Sequence, residues 1–498
     1  MQYGKKVAAA LCGALVAGIA AGCSGGGNDT GDGEKTAIKI MHYDERSFYQ
    51  QYGMLFSALY PDVEIEVVST SSVAYEEGKD MQKAMEEFIA EQKPDVLMLS
   101  ASEYSRMAGE GKLYNLDTFI QKDKFDLEGI APGIVEYIKQ QSDGILYGLA
   151  PDFYSQAIFY NKDMFTQYGV TPPTDRMSWE ELLQLAARFP TDGSAEDRVY
   201  GLKVGYQSDL YQFGMMVGSS LGLSYVNPTT SQLTINSDSW KRAFETADKA
   251  LKSGALYVED MNGGGFSGSY EDYLLRDAFI GERVAMVLEG NYMMDQIKEA
   301  QTRLKDKGVK NWDIVTVPVN PQTPDESTAM SIGQIFAIDA NSANPEGAWK
   351  FLSYINGDDF ARVTSKLRNG GFPARTKYID NEEGRNMAAF YSLKPRTNDT
   401  YKDFDKLPRD FYMKFDALTQ QEFQGVKDGS ATIAEALDSL QAKGQKMLTE
   451  ESEKAATAEP GSSSESSSGS GAASGSVSSS GETVTIVTEG ASSAVPAE

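Results

Sequence analysis

Residues 146–165 read LYGLAPDFYSQAIFYNKDMF. Residues 145–149 are strand-like, and a polar and aromatic knot follows at Pro151, Asp152, Phe153 and Tyr154. A second apolar stretch, 157–160, then runs into Asn161, Lys162 and Asp163, a turn and helix start. An extended chain kinked in its middle by polar and aromatic side chains reads as a crossover between two lobes. Such a crossover can floor a ligand cleft, because clefts form where domains meet.

On the N-terminal side, 37–41 is a short β-leaning run that ends at His42, Tyr43 and Asp44. Apolar residues at Phe48, Tyr52, Leu55, Phe56 and Leu59 form a helical stripe over 48–60, stopped by Pro61. Val63, Ile65 and Val67 alternate with glutamates, as a half-buried strand requires. Met81, Met85, Phe88 and Ile89 give the next helix face, and 95–99 reads as a buried strand between Pro94 and Ser100. Strand, helix, strand, helix, strand implies a parallel sheet.

On the C-terminal side, Ser178 and Glu181 form a capping box ahead of Leu182, Leu183, Ala186 and Phe189. Residues 227–236 are turn-rich and suit a small hairpin, and 240–251 has a helical pattern. Gly263, Gly264 and Gly265 lie in a loop without the following Gly-Lys-Ser/Thr of a phosphate-binding loop. Residues 284–288 read as a buried strand leading to Glu289, Gly290, Asn291 and Tyr292, and 332–338 as the last crossing strand. Asn344 and Pro345 start a further helix, and 411–448 reads as terminal helices packing on the second lobe. From 456 onward, Ser, Gly, Ala and Glu predominate, too polar to bury a core.

At 498 residues the chain exceeds one ordinary core, so two lobes are expected. Lys and Arg number 46 against 72 Asp and Glu, a net charge of −26. That balance excludes the basic footprint of a nucleic-acid binder and suits a soluble exported protein. The one histidine, His42, leaves no zinc constellation, so neither metal nor cofactor is expected. No Gly-x-Ser-x-Gly nucleophile elbow occurs in the folded region.

Lys5 and Lys6 followed by a small and apolar run over 7–21 read as an export signal, too short for a comfortable bilayer span. Ala20, Ala21, Gly22 and Cys23 resemble a bacterial lipobox, which implies cleavage after residue 22 and lipidation of Cys23. Cys12 would leave with the signal, so no disulfide framework is expected. Residues 24–35, rich in Gly and Asp, then serve as a tether.

Tyr147-Gly148-Leu149, Phe159-Tyr160-Asn161-Lys162-Asp163 and Trp179-Glu180-Glu181-Leu182, in that order and spacing, resemble the extracellular solute-binding proteins of ATP-driven sugar importers, the maltose-binding-protein-like class. The resemblance covers 36–450. It implies a two-lobe α/β fold of the periplasmic-binding-protein type II, each lobe a mainly parallel sheet flanked by helices, joined by crossover hinge strands. The expected division is 1–22 signal peptide, 23–35 tether, 36–149 plus 279–331 lobe 1, 150–278 plus 332–455 lobe 2, and 456–498 a Ser/Gly-rich tail. The resemblance further implies a carbohydrate ligand, an oligosaccharide, delivered to the transmembrane subunits of an ABC permease by a monomer lipid-anchored on the extracellular face of the cell membrane.

A sugar site needs aromatic plates and planar hydrogen-bonding groups. Trp179, Trp240, Trp312 and Trp349 all sit in patterns that favour the core. The candidates lie instead at strand ends: His42, Tyr43 and Asp44; Ser100, Ser102 and Glu103; Asp152, Phe153 and Tyr154; Glu289, Asn291 and Tyr292; and Gln334 beside Gly333. Ligands of open α/β sheets gather at the carboxyl ends of strands. Two alternatives stay open: a secreted glycoside hydrolase, with Asp152 and Glu289 as its carboxylate pair about 5–10 Å apart, or a surface adhesin or sensor subunit using the same fold.

Overall fold

A computed structural model describes residues 36–457, apart from 74–80, 195–197, 206–208, 228–229, 259–267, 367–370, 380, 382, 397–399 and 401–406. The expected signal, Cys23, the glycine loop at 263–265 and the tail from 458 lie outside the described residues.

Ten strands build two five-stranded sheets. In chain order they are β1 (Thr36–His42), β2 (Val63–Ser69), β3 (Val96–Leu99), β4 (Gly148–Leu149), β5 (Gln156–Asn161), β6 (Tyr200–Val204), β7 (Leu256–Tyr257), β8 (Val284–Gly290), β9 (Trp312–Thr316) and β10 (Ile335–Ile338). The first sheet has the order β2-β1-β3-β10-β4 and the second β7-β6-β8-β5-β9. In the first, β1, β2 and β3 are parallel, and β10 runs against both β3 and β4. In the second, β6, β7 and β8 are parallel, and β5 runs against both β8 and β9. Each sheet therefore holds a single reversed strand, and that strand is the one the chain enters by crossing from the other sheet.

The crossover expectation for 146–165 is met: β4 ends in the first sheet at Leu149 and β5 begins in the second at Gln156. Asn161 accepts from the backbone N–H groups of Asp163 and Met164 and so starts the helix Lys162–Tyr168. Gly169, at φ 63°, ends that helix in the left-handed conformation glycine tolerates. Within β5 the side chains alternate: Ala157 and Phe159 enter one hydrophobic core, Ile158 and Tyr160 the other. Phe159 and Ile158 are each fully buried. Burying side chains of this size stabilises the fold by roughly 1.5–3 kcal/mol each. β9 repeats the device, with Trp312 and Ile314 in one core and Val315 in the other. The second sheet is thus covered on both faces.

The lobe boundaries differ from expectation. The segment 279–331, expected in lobe 1, contributes β8 and β9 to the second sheet, and β10, expected in lobe 2, completes the first. The helix Pro345–Ile355 follows β10 back onto the first sheet, with Phe351 and Leu352 in the core that holds Ile38 and Ile40. An apolar strand such as VAMVL carries a burial requirement but no label for its neighbour; the pairing Val287↔Lys203 and Val287↔Phe159 places it. The terminal helices Arg409–Lys427 and Ile433–Thr457 do pack on the second core, through Phe411, Phe415, Leu437, Leu440 and Leu448. The expected helix at 48–60 is broken into Glu45–Phe48, a π-helical turn Tyr49–Gly53 and Met54–Leu59. The hairpin expected near 227–236 forms, with Val226 opposite Leu233.

Gly201 in β6 marks where a helix meets the second sheet most closely. A Cβ added there would overlap the backbone O, Cα and C of Ala186, the last residue of the capped helix Trp179–Ala186. Backbone cannot swing aside as a side chain can, so Gly201→Ala is expected to cost about 1–3 kcal/mol. Urea unfolding monitored by tryptophan fluorescence checks this; an unchanged midpoint would contradict the packing described.

Candidate functional site

Every crossing between the sheets leaves and enters at a carboxyl edge. β4 ends with Leu149 opposite Phe336, and β10 begins with Ile335 opposite Leu99, the last residue of β3. β5 begins with Gln156 opposite Gly290, the last residue of β8, and β9 ends with Thr316 opposite Ala157. The carboxyl edges of both sheets are therefore tied together by the same two connections, residues 150–155 and 317–334, and all the candidate residues lie at those edges.

On the first edge, several candidates serve the backbone. His42 is only 3% exposed, packed 5.6 Å from Phe48 and 6.1 Å from Tyr52 between ring centroids. Its Nδ1–H donates to the Asp44 carbonyl over 3.1 Å, and burial lowers its pKa despite that bond. Asp44 caps the following helix, accepting from Ser47 N–H at 2.8 Å and Ser47 Oγ–H at 2.7 Å; these bonds hold its carboxyl below the usual carboxylate range. Ser100 and Glu103 form a capping box on the helix Ala101–Gly109, with Ser102 exposed beside them. The β3–β10 register, carried one residue beyond Ile335↔Leu99, sets Gln334 alongside Ser100. Tyr43 is 63% exposed, and its carbonyl accepts from Ser69 Oγ at 2.7 Å and from Ser71 N–H at 3.1 Å.

The first crossing carries the densest chemistry. Residues 152–153 pair with Phe372–Pro373 in a two-stranded antiparallel ribbon, and Ala374 N–H donates to the Pro151 carbonyl at 2.8 Å. Tyr154 exchanges two backbone hydrogen bonds of 2.9 Å with Ser331, which joins the first crossing to the second. Phe153 does not face a ligand: it is 0% exposed, with its ring 5.6 Å from Phe372. The alternation of an extended chain puts Phe153 on the core face and its neighbours Asp152 and Tyr154 on the other. Tyr154 is 43% exposed, with Gly333 beneath its ring; a Cβ on Gly333 would lie 3.4 Å from Tyr154 Cε2. Asp152 keeps a little accessible area yet lies deep in the protein, so burial raises its carboxyl to about 6.

On the second edge, Glu289 follows the buried run of β8. Burial raises its pKa, opposed by the Tyr292 hydroxyl, which donates to Glu289 Oε2, and by Lys203. Tyr292 is 38% exposed and opens the helix Tyr292–Leu304. Asn291 precedes that helix without capping it and lines a cavity of about 140 Å³ with Met294, Trp312, Phe372 and Arg385. All four tryptophans are buried, in keeping with their core patterns.

Two contributors escaped the sequence reading. Tyr52, buried in the broken helix, interacts with Asp152 and Tyr154. Its position in an apolar stripe marked it as core, which it also is. Lys203 is buried near the end of β6, 3.8 Å from Asp277, and acts on Glu289. A lysine inside the strand YGLKV was the available signal, since buried lysines need partners.

A carboxyl whose folded pKa is raised from 3.8 to about 6 binds more protons in the folded than in the unfolded state between those values. Its contribution to stability is therefore intact below about pH 4 and declines as pH rises through 6. Asp152→Asn is expected to unfold like the parent at pH 4 and to be more stable by about 1–3 kcal/mol at pH 7.5. Paired urea titrations at the two pH values check the sign; a less stable variant at pH 7.5 would contradict it.

Comparisons with known proteins bear on the family and the fold. The sequence matches the model of the bacterial extracellular solute-binding protein family over residues 42–361. A Brucella abortus binding protein is 26% identical over 264 residues, 51% of this chain and 57% of its own length. The chain thus spans little more than half the length of that curated relative. Among solved structures, the sugar-binding protein MalE from Xanthomonas citri superposes with a TM-score of 0.60 at 15% identity, covering 85% of this chain and 100% of that one. An ABC substrate-binding protein from Listeria monocytogenes, solved with cycloalternan, superposes with a TM-score of 0.51 at 22% identity, covering 83% and 99%. These structures share the two-lobe fold. With the family match extending over more than half of its residues, the chain belongs to the bacterial extracellular solute-binding proteins.

Proposed function

We propose that the protein captures a carbohydrate, an oligosaccharide, between the carboxyl edges of its two sheets and delivers it to the transmembrane subunits of an ABC permease. The observation that carries this reading is the placement of its exposed tyrosines. Tyr43, Tyr154 and Tyr292 stand at the carboxyl edge of the first sheet, the first crossing and the carboxyl edge of the second. Rings so placed offer plates for the C–H faces of sugar rings. Asp152, Glu289, Asn291 and Gln334 offer hydrogen-bonding groups beside them, with Ser102 at the first edge. A guest touching both lobes would favour the closed arrangement through its greater affinity for that state. The sugar ligands named for the Xanthomonas and Listeria proteins are consistent with this class. Membership of a binding-protein family sets aside the hydrolase alternative.

Among the described residues no helix is long and apolar enough to cross a membrane. We assign attachment to a lipid on Cys23, with the tether behind it, and the working unit as a monomer.

Two outcomes are expected. Intrinsic fluorescence titrated with linear and cyclic oligosaccharides should saturate, and Tyr154→Ala should weaken the response at least tenfold; silence to every saccharide with a response to peptides would overturn the assignment. Cys23→Ala should move the protein from the membrane fraction to the medium; unchanged membrane retention would refute the lipid anchor.

A further inference from the structure

Four carboxylates stand among the candidate residues, and three are occupied. Asp44 caps a helix through Ser47. Glu103 accepts from the backbone N–H of Ser100 at 2.9 Å and from its hydroxyl at 2.6 Å. Glu289 accepts the Tyr292 hydroxyl and feels Lys203. Among the described residues, Asp152 alone of the four has neither a hydrogen-bond donor nor an ion-pair partner for its carboxylate. It is nevertheless closed in. Tyr154 stands two residues on, on the same side of the extended chain, and Gly371 lies against Asp152 so closely that an added Cβ would sit 3.4 Å from Asp152 Cβ.

An enclosed carboxylate without a donor is unfavourable, and a guest that brings the donor recovers the difference. A hydroxyl would serve, but a cation serves better. A tyrosine ring attracts a cation to its face, and Tyr154 is 43% exposed beside this carboxylate, so the two together suit an ammonium group. The field of the whole chain acts in the same direction, with 72 acidic against 46 basic residues. Lys203, the cation acting on Glu289, lies 3.8 Å from Asp277 and so has a carboxylate of its own.

We infer that the preferred guest is an amino-bearing saccharide whose protonated amine pairs with Asp152 beside the exposed ring of Tyr154, and that acidic saccharides are rejected. This rests on the carbohydrate reading and narrows it.

The test is calorimetric titration of the full chain at pH 6.5 with four probes: a glucosamine oligosaccharide, its N-acetylated counterpart, a neutral gluco-oligosaccharide and an oligogalacturonide. The amine-bearing oligomer should bind at least tenfold more tightly than the N-acetylated and neutral ones, with no heat from the acidic one. Asp152→Asn should reduce that preference at least tenfold, with near-UV circular dichroism and thermal unfolding showing the variant folded. Equal affinity for the amine-bearing and neutral oligomers, binding of the oligogalacturonide, or a preference that survives Asp152→Asn would overturn the inference and leave the carbohydrate reading standing. Absence of binding by all four would overturn both.

Discussion

The structure depends on the reversal of one strand in each sheet. β5 and β10 are the strands that arrive from the other lobe, and each enters antiparallel to both of its neighbours. A parallel arrival would require the chain to travel to the amino edge first, a long crossover. An antiparallel arrival lets the chain pass directly from one carboxyl edge to the other. The first passage takes only residues 150–155. That short connection ties the two edges together, and the ends of strands carry side chains that lie outside the ladder.

The first passage is itself stabilised by secondary contacts. Phe153 anchors it in the core against Phe372, the ribbon with residues 372–373 pairs its backbone, and Tyr154 is bonded to Ser331 on the second passage. Extended alternation then does the sorting. The residue turned inward is hydrophobic, and the two turned the other way are an aspartate and a tyrosine. The Asp152 carboxylate can be left without a partner among the described residues because its backbone is held by bonds that do not involve it.

How much of this was legible before the fold was known differs by kind of residue. Capping chemistry was legible: Ser178 with Glu181, and Asn161 at its helix start, behave as their local sequence requires. The core role of the tryptophans was legible from their helix and strand contexts. Strand-end candidates were legible as positions, but their employment was not. Asp44, Ser100 and Glu103 share the composition of binding residues and of capping residues, and only the hydrogen bonds distinguish them. Tyr52 was hidden because an apolar stripe does not reveal which of its members also feels the charge of an aspartate from a hundred residues further along the chain.

The amino-acid sequence by itself determined the local periods: where strands alternate, where helices are capped, and that 146–165 is an extended chain with a polar break. These are properties of neighbours within a few residues, set by backbone geometry and burial. Only the tertiary structure decided which sheet each buried strand joins. β8 and β9 lie in the second sheet and β10 in the first because hydrogen-bond ladders form between segments far apart in the chain, and apolar side chains satisfy burial equally in either sheet. The same long-range pairing left Asp152 without a partner among the described residues, a property that belongs to no single stretch of sequence.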